Sequence, residues 1–351
     1  MPKLPKHIVA IRLSAMGDVA MTVPVLRALT QQYPDVRVTI VSRTFFAPFF
    51  SDIPNVSFFE FDDKIRHEGN LGLWQLFLDI RALKPDAFLD LHSVIRTKLL
   101  RFMFRLVFIR VANIYKDRQS KKEITSITNK KFRQIENVFE KQQKALNSLG
   151  FEVDLSKIIY PKKTFLSEDI LHKTQLNLSS QKIGIAPFAQ YDSKIYPLDL
   201  MQIVIDHLAS NLENQILLFG GGNPEIEKLN SLKNNHQNVI VIAGKATFKQ
   251  EIDIISNLDV MLSMDSGNAH IAAMKNVQVV TLWGATHPYA GFNPFGQPLE
   301  NAIVSDREKF PLLPTSVYGN KIVQGYQDVM RTILPQTVVA RINKILNKSN
   351  Q

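Results

Sequence analysis

The chain has 351 residues, 45% of them hydrophobic, no cysteine, and a net charge of +10 at neutral pH. That length suits two cores rather than one, and the lack of cysteine excludes disulfides and thiolate metal sites and fits a reducing compartment. The positive balance favours an anionic partner, such as an anionic membrane face or a phosphorylated substrate. No stretch interleaves basic and aromatic residues as a single-strand binder would, so nucleic acid is not expected.

The N-terminal "MPKLPKHIVAIRL" runs directly into a strand pattern and does not read as a signal peptide. Behind that strand, "LSAMGDVAMTVPVLRALTQQY" makes a tight turn with one glycine, Gly17, and a carboxylate, Asp18, before a helix. A dinucleotide-binding turn would carry G-x-G-x-x-G, and a negative charge would repel a phosphate. Asp18 can serve here as a helix N-cap, worth ~1 kcal/mol, and the turn by itself leaves a chemical role for the carboxylate open. Pro24 complicates a helix that starts at Asp18, because it lacks the N–H that would bond Ala20. Thr22 is the alternative cap.

"VRVTIVS", "VSFFEF" and "DAFLDL" read as further strands, with "LWQLFLDIRAL" as a helix between them. "FDDK" pairs two carboxylates but reads as a turn. "LHSVIRTKLL" sets His92, Arg96 and Lys98 beyond a strand end, where they are candidates for holding an anionic acceptor. The apolar stretch Leu99–Tyr115 is interrupted by Arg101, Arg105 and Arg110, too charged to span a membrane. It reads as a buried helix followed by a strand, with a surface-lying membrane helix as the alternative. "YKDRQSKKEITSITNKKFR" then reads as a flexible basic segment of the same domain.

A polar stretch without clean periodicity puts a domain boundary around Tyr160–Gln181. The expected division is 1–165, 180–325 and a C-terminal helical segment 326–351, in which Pro335 opens a second helical piece. Alternation then restarts with "KIGIAPF", "NQILLFGG", "NVIVIAG", "DVMLSMD" and "VQVVTLWG". Two parallel α/β sheets in tandem are expected, facing across a central cleft at their strand C-terminal ends.

Four strand ends of the second half carry unusual clusters. Lys194 follows the first, three glycines and Glu225 the second, Gly244-Lys245-Ala246-Thr247 the third, and Asp265, Ser266, Gly267 and His270 the fourth. Singly, Glu225 and Asp265 could merely complement a helix dipole, and Lys194 could be a solvated lysine. Jointly they suit a nucleoside diphosphate. A lysine and a helix N-terminus would neutralise the phosphates without a metal, Glu225 would accept from ribose hydroxyls, and the base would lie near Gly244–Thr247.

"IRLSAMGDVAMTVPVLRAL" and "DVMLSMDSGNAHIAAMKNVQVVTLWGATHP" resemble the two ends of glycosyltransferase family 9, the lipopolysaccharide heptosyltransferases. The likeness takes in "DLHSVIRTKLL", the strand before Lys194 and the Gly-rich turn before Glu225, and so covers nearly the whole chain. It implies a GT-B fold of two Rossmann-like domains, the first for the acceptor and the second for the donor. It also implies inverting, metal-independent transfer of a heptose from an ADP-sugar to an anionic glycolipid of lipid A type, with no cofactor. By this resemblance Asp18 is the catalytic aspartate, Lys194 holds the donor phosphate and Glu225 the ribose. Ala246, Asp265, Ser266, Gly267 and His270 complete the donor site. Where hydroxyl residues are common in the family this chain has Ala189-Gln190, and where a tryptophan is common it has Tyr196. The expected location is cytoplasmic, with peripheral contact at the inner membrane face. The alternatives are a transferase for another nucleotide sugar and a non-catalytic nucleotide- or glycan-binding assembly protein.

Overall fold

Strands covered on both faces have no polar side, and the continuous apolar runs of this sequence become parallel strands for that reason. The computed structural model describes residues 3–321 and 323–349. The chain divides into two compact units, Met1–Asp117 with Glu136–Tyr160, and Arg118–Ile135 with Pro161–Gln351.

The first unit holds strands β1 (His7–Ile11), β2 (Arg37–Ser42), β3 (Val56–Glu60), β4 (Ala87–Asp90) and β5 (Arg110–Asn113), all parallel, in the order β3-β2-β1-β4-β5. In register, Val9 of β1 stands between Thr39 and Phe88. The crossovers are α1 (Met16–Ala20) with α2 (Val23–Gln32), α3 (Gly69–Ala82) and α4 (Ile95–Leu106). Leu76, Phe77, Leu100 and Phe104 of the last two helices pack with Val9 and Phe88 in one core. The next helix, α5 (Arg118–Ile124), belongs to the second unit. Helix α6 (Val138–Asn147) returns to the first and packs on α2 and β5, opened by an Asn137–Glu140 capping box.

The second unit holds β6 (Gln181–Ala186), β7 (Asn214–Leu218), β8 (Val239–Val241), β9 (Val260–Met264), β10 (Gln278–Trp283) and β11 (Ala302–Val304). Their order is β11-β10-β9-β6-β7-β8, again all parallel. Its helices are α7 (Glu168–Thr174), α8 (Leu198–Ala209), α9 (Asn223–Lys233), α10 (Phe248–Ile255), α11 (Gly267–Met274) and α12 (Pro335–Ser349). Val338, Ile342 and Leu346 of α12 join the core of this unit. Both sheets are therefore Rossmann-like, and each has a switch point where the strand order reverses: β1/β4 in one, β6/β9 in the other.

Several local readings differ from the expectations. Asp18 is not the N-cap of its helix: Ala15 is, and Asp18 lies in the first turn of α1. The conflict with Pro24 is met by breaking the helix in two, with Pro24 in the first turn of α2 behind Thr22, whose hydroxyl donates to the Val19 carbonyl at 2.7 Å. Helix α4 and strand β5 are the expected pair, but α4 buries only Thr97, Leu100 and Phe104. The polar stretch before β6 contains α7, capped by the Ser167 hydroxyl.

The basic segment is not a loose appendage of the first unit. Lys130 donates to the carbonyls of Ile124 and Pro314 at 2.7 and 2.8 Å. Phe132 stacks on Tyr289 at 5.2 Å, the Arg307 guanidinium lies 3.3 Å from the Phe132 ring centroid, and the Ile135 amide donates to the Tyr289 carbonyl. These contacts dock residues 118–135 on the second unit.

Candidate active site

Each sheet places a charged pair at its switch point. In the first unit the chain leaves β1 at Arg12, whose guanidinium donates to the carbonyls of Ser14 at 2.8 Å and Leu91 at 2.7 Å. Its remaining NH2 forms an ion pair with Asp18. Arg12 is 11% exposed and Asp18 30%, so the arginine is the fixed partner and the carboxylate is the one presented to solvent. A planar fork with three fixed acceptors holds a carboxylate in one orientation.

Across the switch point, Asp90 ends β4 fully buried. One of its oxygens accepts from the amides of His92 and Ser93 at 2.9 and 2.7 Å, and the other lies 3.2 Å from Arg101. That turn seats His92. Burial pushes the imidazole down to about 3, and the positive charges of Arg12, Lys116 and Arg43 add to this against the opposing charge of Asp18. The ring is therefore neutral at physiological pH, and its surroundings are cationic.

The three residues expected at this end are not gathered together. His92 shares its surroundings with Arg12 and Asp18. Arg96 instead stacks over Phe61 at 5.1 Å, and Lys98, two positions further along α4, is on the exposed side. Arg12, Arg43 and Lys116, none of which is marked out by a sequence motif of its own, are the cations around His92. The available signal for Arg12 was a charge directly behind the apolar run Ile8–Ile11.

In the second unit, Lys194 follows β6 and its Nζ lies 2.9 Å from Oδ2 of Asp265, which follows β9. Both side chains are about nine-tenths buried. Lys194 is seated by two glycines, Gly284 at the end of the "VQVVTLWG" strand and Gly319, which lies outside the motifs noted in the sequence. A Cβ on Gly284 would fall 2.3 Å from the Ser193 carbonyl, and one on Gly319 would fall 2.4 Å from Cδ of Lys194. Ser266 is the N-cap of α11 but makes no side-chain cap bond, leaving the first-turn amides of α11 uncapped by that hydroxyl. Its hydroxyl lies 3.1 Å from that of Ser263, which donates to the Met264 carbonyl. Gly267 opens α11, and His270 is buried one turn on.

Glu225 lies in the first turn of α9, and one of its oxygens accepts from the Gly221 amide at 2.7 Å. A Cβ at Gly220 would crowd that oxygen at 3.0 Å, so glycine leaves it room. Ala246 is half-buried in the turn after β8, beside Thr247, which caps α10. Tyr196 is a core residue, its hydroxyl donating to the Ile333 carbonyl at 2.8 Å. The sheet order sets these groups in a row along one rim: Asp265 behind β9, Lys194 behind β6, Glu225 behind β7 and Ala246 behind β8. The strands behind the ends of that row, β9 and β8, are three strand spacings, about 14 Å, apart.

The family model described as glycosyltransferase family 9 (heptosyltransferase) matches residues 112–314, more than half of the chain. The chain belongs to glycosyltransferase family 9. It is thus a glycosyltransferase, and its two Rossmann-like units are those of a GT-B fold. Among family-9 relatives, it is 22% identical to lipopolysaccharide heptosyltransferase 3 of Escherichia coli over 342 residues, covering 95% of this chain and 97% of that one. The crystal structure of a family-9 glycosyl transferase from Veillonella parvula has a TM-score of 0.73 at 22% identity, covering 98% of each chain. The E. coli ADP-heptose lipopolysaccharide heptosyltransferase II has a TM-score of 0.68 at 18% identity, covering 98% of this chain and all of that one. At these identities the structural likeness is one of fold.

Proposed function

We propose that this family-9 enzyme transfers a heptose, with inversion, from an ADP-sugar to an anionic lipopolysaccharide-core acceptor, with Asp18 as general base. The observation that carries the reading is the row along the rim of the second sheet. Its order, Asp265–Lys194–Glu225–Ala246, is that of phosphates, ribose and base in a nucleoside diphosphate, and its length suits one. The names of the relatives, heptosyltransferases of lipopolysaccharide, support the sugar and the acceptor class.

In this reading the acceptor hydroxyl gives its proton to the Asp18 carboxylate as its oxygen bonds to the anomeric carbon. The bond from that carbon to the β-phosphate oxygen breaks on the opposite face, and ADP leaves with the electron pair. Asp18 suits the first task because it is a partly exposed carboxylate that Arg12 keeps in one orientation. Lys194 and the first-turn amides of α11 suit the second, since charge developing on the leaving phosphate meets donors already in place. A lysine has three N–H donors, and Asp265 occupies one. Glu225 keeps an oxygen beyond the one bound to Gly221 for a ribose hydroxyl. The cations around His92 suit an acceptor that carries phosphate or carboxylate groups.

The test is Asp18→Asn with ADP-heptose and a lipid-A-type acceptor. Turnover falls by about 10²–10⁴, while calorimetry finds ADP affinity unchanged. Turnover at the parent rate would remove Asp18 from the mechanism, and a clear preference for UDP over ADP would remove the proposed donor.

A further inference from the structure

Helix α4 is apolar on two faces. Thr97, Leu100 and Phe104 point into the core, as a surface helix requires. Ile95, Leu99, Phe102 and Leu106, spaced by four, three and four residues, point the other way and are 79%, 48%, 60% and 62% exposed. Successive helical residues turn by 100°, so these four fall within an arc of about 60°. Lys98 and Arg105 border that arc on one side and are exposed. Every charge on α4 is positive: Arg96, Lys98, Arg101 and Arg105.

The same helical layer continues in α3, which packs beside α4. Leu71, Trp74 and Leu78 line its outer face and are exposed, while its one acid, Asp79, is turned to Arg66 and His67. Phe108, just past α4, is also exposed. Scattered exposed leucines are ordinary, but two aligned stripes on adjacent helices are not.

We infer that the outer face of α3 and α4 seats this protein on an anionic membrane surface. The charge pattern selects that occupant. A stripe of large apolar side chains edged by lysine and arginine matches the boundary between acyl chains and anionic headgroups. A second copy of this chain is a poor fit, since pairing the face with itself would set Lys98 and Arg105 against like charges.

The test is flotation of the full chain with vesicles of phosphatidylglycerol and phosphatidylcholine, and with phosphatidylcholine alone. Neither vesicle contains a glycosyl acceptor, so the outcome does not depend on the transferase reading. The chain binds the anionic vesicles at least about tenfold better than the neutral ones, and added salt weakens the binding. Phe102→Glu with Leu106→Glu lowers that binding at least about tenfold with an unchanged circular dichroism spectrum. Arg105→Glu keeps the apolar stripe and lowers only the preference for the anionic vesicles. Absence of vesicle binding, or equal binding by the double variant, overturns the inference. So does a dimer in sedimentation that the double variant dissolves, since the face would then belong to a second copy.

Discussion

Gly319 and the stem of Lys194 occupy adjoining space. A methyl group at 319 would stand 2.4 Å from the lysine's Cδ and 2.7 Å from its Cγ, and the backbone there has a φ of +88°. The 319 carbonyl also accepts from the Ser193 hydroxyl at 2.6 Å, so loop and lysine are tied together. Gly319→Ala should displace Lys194 from Asp265. We expect ADP affinity to fall about tenfold, equivalent to ~1.4 kcal/mol, with a stability loss of about 1 kcal/mol from the left-handed backbone. Calorimetry and thermal denaturation separate the two effects, and full ADP affinity would show that the lysine's seat does not matter to the donor.

Arg12 serves three acceptors, and lysine in its place can aim at only part of them. Arg12→Lys should lower kcat by about 10–100-fold by loosening Asp18, a misplacement effect, and leave ADP affinity alone. Arg12→Met should in addition cost about 1–3 kcal/mol of stability, because the Ser14 and Leu91 carbonyls lose a donor. An ADP affinity that fell in step with kcat would assign Arg12 to the donor side instead.

Acid should weaken both units through buried neutral histidines. His92 is pushed down to about 3 by burial and the nearby cations, and His287 to about 4 by burial and Arg307. An unfolded chain protonates both near the ordinary value of 6.5, so between these limits it binds more protons than the folded one. The stability they contribute is complete above pH 6.5 and is lost as pH falls towards 4 and 3, by up to ~2 kcal/mol each at pH 5. Calorimetric melting of His92→Gln and His287→Gln should show a shallower decline over that window. An unaltered decline in both variants would place the acid sensitivity elsewhere.

Phe132 helps to hold residues 118–135 in the second unit through its contacts with Tyr289 and Arg307. Phe132→Ala should free the segment while leaving both cores intact. Tryptic cleavage at Lys121 and Lys122 should then accelerate by about tenfold, because loosened backbone is the substrate of proteolysis. An unchanged digestion rate would mean that the contacts of Lys121 with Tyr318 and of Lys130 with Pro314 suffice to hold it.

Features set by near neighbours in the chain were legible without coordinates. The apolar runs of β1, β2, β4, β6, β7, β9 and β10, alternating with helical patterns, argued for covered parallel strands. The turns behind them announced Asp18, Glu225 and Asp265, because a carboxylate at a strand-to-helix corner is a local event. Even the break between α1 and α2 was implied by Pro24, which removes one N–H whatever lies around it.

What distant segments bring to a residue was not legible. Arg12 gains its meaning only when Leu91, 79 positions on, arrives with a carbonyl. Lys130 becomes a clasp only because Pro314, 184 positions on, meets it, and burial then lowers it to about 8. Helix α4 carries apolar residues on two faces, and its sequence alone read as a buried helix, with a surface-lying one as the alternative. Periodicity records which faces a helix could cover, whereas packing decides which are covered, and here one was left open.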